Sequence, residues 1–266
     1  PDGPLWYLPF ELLPIGDRDG PLLGESTMVQ YAPTPGLAIQ PAAEPATLRT
    51  LGVAAGRFFA PADLDANQSK IESLMQALDP AVRLPSEPPV PGSLLGNQIG
   101  HLLVASARGM DPANPLEFSV ASYDASSPQG SLKSWLRFPA ASPRTVVLAG
   151  FRSAVASGKM GDGSEVFLTL CGLHAAGVRE VMLSRWPVGG ESTVIGVREL
   201  AQEVPFIGMA KGWQRARKIL SQTELAPSEE PMLTKEESKL ENLTGNEPFF
   251  WSSYLVSAAL EKEGQP

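Results

Sequence analysis

The 266-residue sequence predicts an α/β domain built on a mainly parallel sheet with helices on both faces. Three observations predict it. Residues 145–188 read as strand, loop, helix and strand: a β-branched run at Val146, Val147 and Leu148, a loop rich in Gly, Ser and Lys, a helical stretch, and a second apolar run at Val181, Met182 and Leu183. Such a βαβ unit takes about 30 residues or more and sends the loop after its first strand to the carboxyl edge of a parallel sheet, where ligands of open α/β sheets bind. His101 to Ala105 is another continuous apolar run, the pattern of a strand buried on both faces. Residues 63–78 carry Leu64, Ile71, Leu74, Met75 and Leu78 at helical spacing, an amphipathic helix for one face of the sheet.

The remaining elements follow in order. After a turn at Asp2-Gly3 comes an apolar segment from Leu5 to Leu13, a second turn at Asp19-Gly20, an extended run from Met28 to Tyr31 and a helix start beyond Thr34. Residues 40–46 are a Pro/Ala linker and 50–54 a buried strand. Five prolines between 80 and 96 exclude a long helix and leave room for a short strand near Val82. Asp111 to Asp124 is a loop running into an exposed strand, and Ser131 to Phe138 a short helix or turn. Glu165 to Ala176 is the crossover helix, ended by Gly177, which suits the left-handed position after a helix. Helices follow over 193–203 and 209–220, the second with Trp213, Ala216, Ile219 and Leu220 on its apolar face. The polar stretch 224–247 is a surface insertion or mobile loop, and Phe249 to Leu260 a strand or helix that must be buried.

Composition narrows the function. With 43% hydrophobic and 19% charged residues the chain can bury enough apolar surface to fold. A net charge of −8 without a dense Lys/Arg block excludes nucleic acid as a partner. No stretch approaches about 18 consecutive apolar residues and no basic-then-apolar leader opens the chain, so no membrane is expected. The single cysteine, Cys171, excludes an internal disulfide and fits a cytoplasmic setting. The abrupt start at Pro1-Asp2-Gly3-Pro4 implies a strand upstream, in a longer protein of which this is one domain. The sequon Asn242-Leu243-Thr244 is read as chance.

Two loops leave strands at the carboxyl edge: Ser106-Ala107-Arg108-Gly109 after 101–105, and the loop after 146–148. If these strands are neighbours the loops meet, which is how a two-residue catalytic dyad is built. Cys171 and His174 lie three apart on one helix face; a displaced dyad or metal pair is weighed against core packing, and core packing prevails because free cysteine is among the most buried residue types. No ligand spacing for zinc occurs, so no metal and no cofactor are expected. Gly158-Lys159-Met160-Gly161-Asp162-Gly163 lacks the spacing of a phosphate loop. Ser106 and Ser153 have no base near them in sequence, and Trp6, Trp186, Trp251, Phe249 and Phe250 read as core.

Several stretches resemble one family. Pro1 to Leu13, with Leu8-Pro9-Phe10-Glu11, resembles the opening block of CHAT domains, caspase-like modules commonly attached to tetratricopeptide repeats in bacteria. Tyr31-Ala32-Pro33-Thr34, Gly161-Asp162-Gly163, Ala175-Ala176-Gly177 with Ser184-Arg185-Trp186-Pro187-Val188, Gly212 to Leu220 and Pro248 to Tyr254 resemble its later motifs in the right order. The resemblance implies a caspase-like fold and a cysteine peptidase ancestry, with a histidine ending one strand and a cysteine ending the next, because a thiolate attacks the scissile carbonyl and an imidazole manages the proton.

Laid on this chain, the family's histidine position is Ala107 and its cysteine position Phe151. The acidic residue after the tryptophan is missing too, with Glu191 the nearest substitute. His101 lies about six residues upstream of the needed position, about 20 Å along a strand. The expectation is therefore a catalytically inactive domain that binds a protein or peptide, the upstream repeat domain among the candidates. Its groove would be lined by Arg108, Gly109, Arg152, Ser184, Trp186 and Gly189, the arginines favouring acidic peptides. The alternatives are an active cysteine endopeptidase using Cys171 with His101 or His174, and a structural domain without a ligand.

Overall fold

The structure is a computed structural model and describes residues 3–38, 48–55, 64–78, 80–85, 89–105, 130–149, 161–186, 189–230, 233 and 243–258. The strands are β1 (Leu51–Ala55), β2 (Val82–Arg83), β3 (His101–Ala105), β4 (Thr145–Leu148), β5 (Glu180–Ser184), β6 (Glu224–Leu225), β7 (Leu243–Thr244) and β8 (Tyr254–Ala258). The helices are α1 (Leu23–Ser26), α2 (Pro35–Ala38), α3 (Leu64–Ala77), α4 (Leu132–Leu136), α5 (Ser164–Ala175), α6 (Gly190–Ile207), α7 (Met209–Ser221) and α8 (Pro248–Ser252).

Six strands form one sheet in the order β2-β1-β3-β4-β5-β8, with β6 and β7 pairing separately. Every pairing from β2 to β5 is parallel and β8 alone is antiparallel, against β5. Each residue of β3, β4 and β5 is buried, as strands covered on both faces must be. Successive side chains go to opposite layers. Leu102, Val104, Val146, Leu148, Val181 and Leu183 join Trp6, Trp135, Leu170 and Leu173 on one face. Leu103, Ala105, Val147 and Met182 join Leu74, Leu200, Val204, Trp213 and Trp251 on the other. The first face thus carries α4, α5 and the amino-terminal segment, and the second α3, α6 and α7.

The predicted helix over 63–78 forms as α3, with Ile71, Leu74 and Leu78 buried. Gly177 closes the α5 turn at φ +101°, where a side chain would be strained. The predicted helix over 193–203 is longer at both ends, because Gly189 and Gly190 begin it and a proline near its end, Pro205, is tolerated one turn before Gly208 stops it. Of the segment 224–247, read as a surface insertion or mobile loop, residues 231–232 and 234–242 lie outside the described residues; its described base is corrected, because Leu225, Leu243 and Glu230 are buried and the two leucines pack with Ile195, Leu220 and Phe250. Phe249 to Leu260 resolves into α8 and then β8, the antiparallel edge strand. The 40–46 linker and the 111–124 segment lie outside the described residues. Among the described residues no helix is long and apolar enough to cross a membrane.

Candidate functional site

Because β3 and β4 are adjacent and parallel, with Val104 opposite Leu148, the chain leaves both strands at one edge of the sheet. This is the carboxyl edge, where β5 also ends and where α6 begins. Ala107, Arg108, Gly109, Phe151 and Arg152, with Ser106 and Ser153, lie outside the described residues. A groove of about 550 Å³ lined by Leu51, Leu78, Ala201 and Phe206 opens at the opposite, amino-terminal end of the strands, away from this edge.

The end of β5 is the best-defined part of the edge. Ser184 is fully buried and its Oγ donates to the Ala149 carbonyl at 3.4 Å, tying β5 to the chain leaving β4. Ser184 is therefore packing beneath the edge and offers no surface to a ligand. Gly189 is buried as well, whereas Trp186 is half-buried and stacks on Phe249 with ring centroids 6.0 Å apart and planes 22° from parallel. The Trp186 Nε1–H is shielded from solvent and has no hydrogen-bond acceptor among the described residues. It is the one described member of the expected groove that presents an aromatic face and an unspent donor.

Between them stands Arg185, which is fully buried. Its Nη2 donates to both Glu11 carboxylate oxygens at 3.0 and 3.1 Å, and its Nη1 to the carbonyls of Ser252 at 2.5 Å and Tyr254 at 3.0 Å. The guanidinium lies 4.8 Å from the centroid of the Tyr31 ring, whose hydroxyl donates to Glu11 Oε2 at 3.0 Å and accepts from the Phe10 N–H at 3.1 Å. Burial pushes the Tyr31 phenol well above its ordinary range. Glu11, Tyr31 and Arg185 come from three of the stretches that carried the family resemblance. No local pattern links them, since Glu11 and Arg185 are 174 positions apart.

Two further acids are buried near this edge. Tyr7 Oη donates to Glu165 Oε1 at 2.5 Å in the first turn of α5 and accepts from the Gly163 N–H at 3.1 Å. Glu230 accepts from the Ser192 N–H at 2.7 Å and the Ser192 hydroxyl at 2.8 Å in the first turn of α6, and burial raises its carboxyl above the ordinary value. Glu191, the substitute for the missing family acid, is engaged too: its Oε2 accepts from the Ala226 N–H at 2.9 Å.

The chain's one thiol and both imidazoles are all described, and none stands at the carboxyl edge. Cys171 is half-buried about 10 Å along α5 from its start, and burial raises its thiol. His174 is held by Nδ1 to the Val178 carbonyl at 2.9 Å and by Nε2 to Ser257 Oγ at 2.9 Å. A carbonyl can only accept, so Nδ1 carries the proton and Nε2 accepts from Ser257, leaving neither nitrogen for Cys171. His101 is buried at the amino-terminal end of β3, where burial and the nearby Arg144 lower its pKa to about 4. Among the described residues no group of three or more His, Cys, Asp or Glu could hold a metal ion.

A mainly parallel six-stranded sheet, closed by an antiparallel strand and covered by helices on both faces, defines a caspase-like α/β domain. The chain belongs to the CHAT domain family, a caspase-like, peptidase-related family whose model matches residues 1–259. No curated protein matches it.

Proposed function

We propose that this CHAT domain is a catalytically inactive member of its family that acts by binding a protein or peptide at the carboxyl edge of the sheet. The observation that carries the reading is the placement of its sulfur and imidazole groups. Cysteine peptidase chemistry needs a thiolate beside an imidazole. Here the dyad positions hold Ala107 and Phe151, Cys171 sits on the crossover helix with a raised pKa, and both rings of His174 and His101 are committed or buried elsewhere. Trp186 supplies a groove wall, and Arg108 and Arg152, with Gly109, give the edge a preference for acidic peptides.

The test has two arms. Iodoacetamide at neutral pH labels Cys171 slowly, at the rate of an ordinary or hindered thiol, and Cys171→Ser changes neither folding nor the absence of cleavage of unfolded protein substrates. Peptides selected from a displayed library on the full chain lose affinity on Phe151→Ala while its thermal midpoint is unchanged. Fast labelling of Cys171 together with cleavage abolished by Cys171→Ser would restore the peptidase reading, and unchanged peptide affinity in Phe151→Ala would remove the groove.

A further inference from the structure

The groove at the amino-terminal end of the strands has the build of a pocket for a small ligand. Its floor and walls come from β1, the end of α3 and the end of α6: Leu51, Leu78, Ala201 and Pro205, with Phe206 at the mouth. Three alanines, Ala77, Ala81 and Ala201, stand where larger side chains would fill the space. The volume of about 550 Å³ falls in the range of about 300–1,000 Å³ typical of small-molecule sites. A protein partner needs about 800 Å² a side, a broader surface than this groove provides. Phe206 is 68% exposed, more than any other large apolar side chain among the described residues, and a ligand in the groove would cover part of its ring.

Arg49 is the one charged residue among the described residues that line the groove. Its guanidinium lies 5.4 Å from the centroid of the Phe206 ring, and no carboxylate pairs with it among the described residues. A guanidinium resting on a ring face keeps its planar N–H fork unspent, and that fork matches a carboxylate in two parallel hydrogen bonds. The ends of α3 and α6 both reach the groove, but their negative poles are muted there: the Ala77 carbonyl accepts from Gln202 Nε2 at 3.1 Å and the Val204 carbonyl from the Gly208 N–H at 3.2 Å. A second polar group lies behind the floor. Leu51 is the register partner of His101, and the Thr50 carbonyl accepts the His101 N–H at 3.1 Å. The His101 ring projects to the same face of the sheet as Leu51, is 3% exposed and has no hydrogen-bond partner at either nitrogen among the described residues. A ligand resting on Leu51 is thus one side chain away from an imidazole.

We infer that this groove binds a small amphiphile with a single carboxylate, a fatty acid in its simplest form, with its apolar chain on Leu51, Leu78 and Ala201 and its carboxylate on Arg49. One cation at the mouth calls for one negative charge, and the mostly aliphatic lining calls for a hydrocarbon body. A chain of net charge −8 does not gather anions from a distance, so selection falls to this local pair. The site stands apart from the carboxyl edge and does not depend on the binding proposed there.

The experiment titrates the full chain with decanoate and with decanol, its neutral counterpart, by isothermal calorimetry below the concentration at which either aggregates. Decanoate binds saturably and about tenfold more tightly than decanol or better, the difference expected for one charge-assisted contact. Arg49→Gln brings decanoate down to the affinity of decanol and leaves decanol unchanged. Ala77→Trp fills the groove from an exposed position at the end of α3 and removes the binding of both. Because the chain has two histidines, nuclear magnetic resonance resolves both imidazoles, and decanoate moves the His101 ring signal and not that of His174. Thermal midpoints show that each variant is folded; should Ala77→Trp not be, Phe206→Ala at its exposed position takes its place and must weaken both ligands. Absence of saturable decanoate binding, equal decanoate affinity in wild type and Arg49→Gln, binding that survives the groove variants, or a shift at His174 in place of His101 each overturns the inference.

Discussion

Removing the Glu11 carboxylate leaves the Arg185 charge buried without its partner, and the cost can be worked from the geometry. The Arg185 side chain is 0% exposed and that of Glu11 11%, so water screens neither. Breaking such a pair by deleting one partner typically costs about 3–5 kcal/mol, because the remaining ion keeps its desolvation penalty. Arg185 would keep its bonds to the carbonyls of Ser252 and Tyr254 and its contact with the Tyr31 ring. Those contacts favour the lower end, so Glu11→Ala is expected to lose about 3 kcal/mol, or about 6–12 °C in midpoint for a chain of this size. Urea unfolding with an unchanged m-value measures it. Arg185→Leu in the same chain replaces the buried charge with an apolar side chain. A buried ion pair exchanged for apolar side chains is often neutral, so the double variant should lie closer to wild type than Glu11→Ala does. A loss below about 1 kcal/mol for Glu11→Ala, the size of an exposed pair, would refute the claim that this pair pins the amino-terminal segment to the end of β5.

Two other perturbations test the layers around the sheet. The unfolded His101 imidazole takes its proton at the ordinary 6.5 whereas the folded one does so only near about 4, so the unfolded state binds more protons in between. Stability should therefore fall as pH drops from 6.5 towards 4 and level off below. His101→Leu should flatten that slope without abolishing it, because His174 is shifted in the same direction, and an unchanged slope would show that His101 is exposed. Gly172→Ala places a Cβ 2.6 Å from the buried Leu132 side chain, where α5 meets α4. The helix gains about 1 kcal/mol in propensity but overpacking costs about 1–3, so chemical denaturation should show a net loss, and a stabilised variant would mean that the α4–α5 contact is loose.

What could be read in advance was whatever is written locally. β3 was legible because four consecutive apolar residues after His101 must be covered on both faces, and α3 because Ile71, Leu74 and Leu78 fall on one side of a helix. Gly177 was legible because only glycine sits at φ +101° without strain. The 224–247 segment was misread because its polar composition hides isolated buried positions: Leu225 and Leu243 find each other only through the β6–β7 pairing, and a glutamate is not a residue that composition sends inside. Arg185 failed the same rule. Its burial depends on a carboxylate far away in sequence, and the family motifs that contain Glu11, Tyr31 and Arg185 do not say that the three touch. Ser184 ends β5 and Gly189 precedes α6, and both are buried, because one dimension of sequence does not separate a residue on the floor of an edge from one on its surface.

The buried acids bear on what kind of site this edge can be. Glu11 is spent on Arg185 and Tyr31, Glu165 receives Tyr7, Glu230 receives Ser192, and at the other end of the strands Glu180 accepts from Thr145 Oγ1 at 3.0 Å and from the Met209 N–H at 3.2 Å. Glu11 and Glu180 tie a loop and a helix start to the ends of β5 and β4, while Glu165 and Glu230 tie neighbouring segments to the first turns of α5 and α6. A hydrolytic site needs the opposite arrangement, with its general base and charge-stabilising groups unspent and aimed at the space where the substrate reacts. Polar groups satisfied within the fold hold their loops and helix starts in place, and under the binding function proposed above a partner would dock there without the cost of ordering the surface.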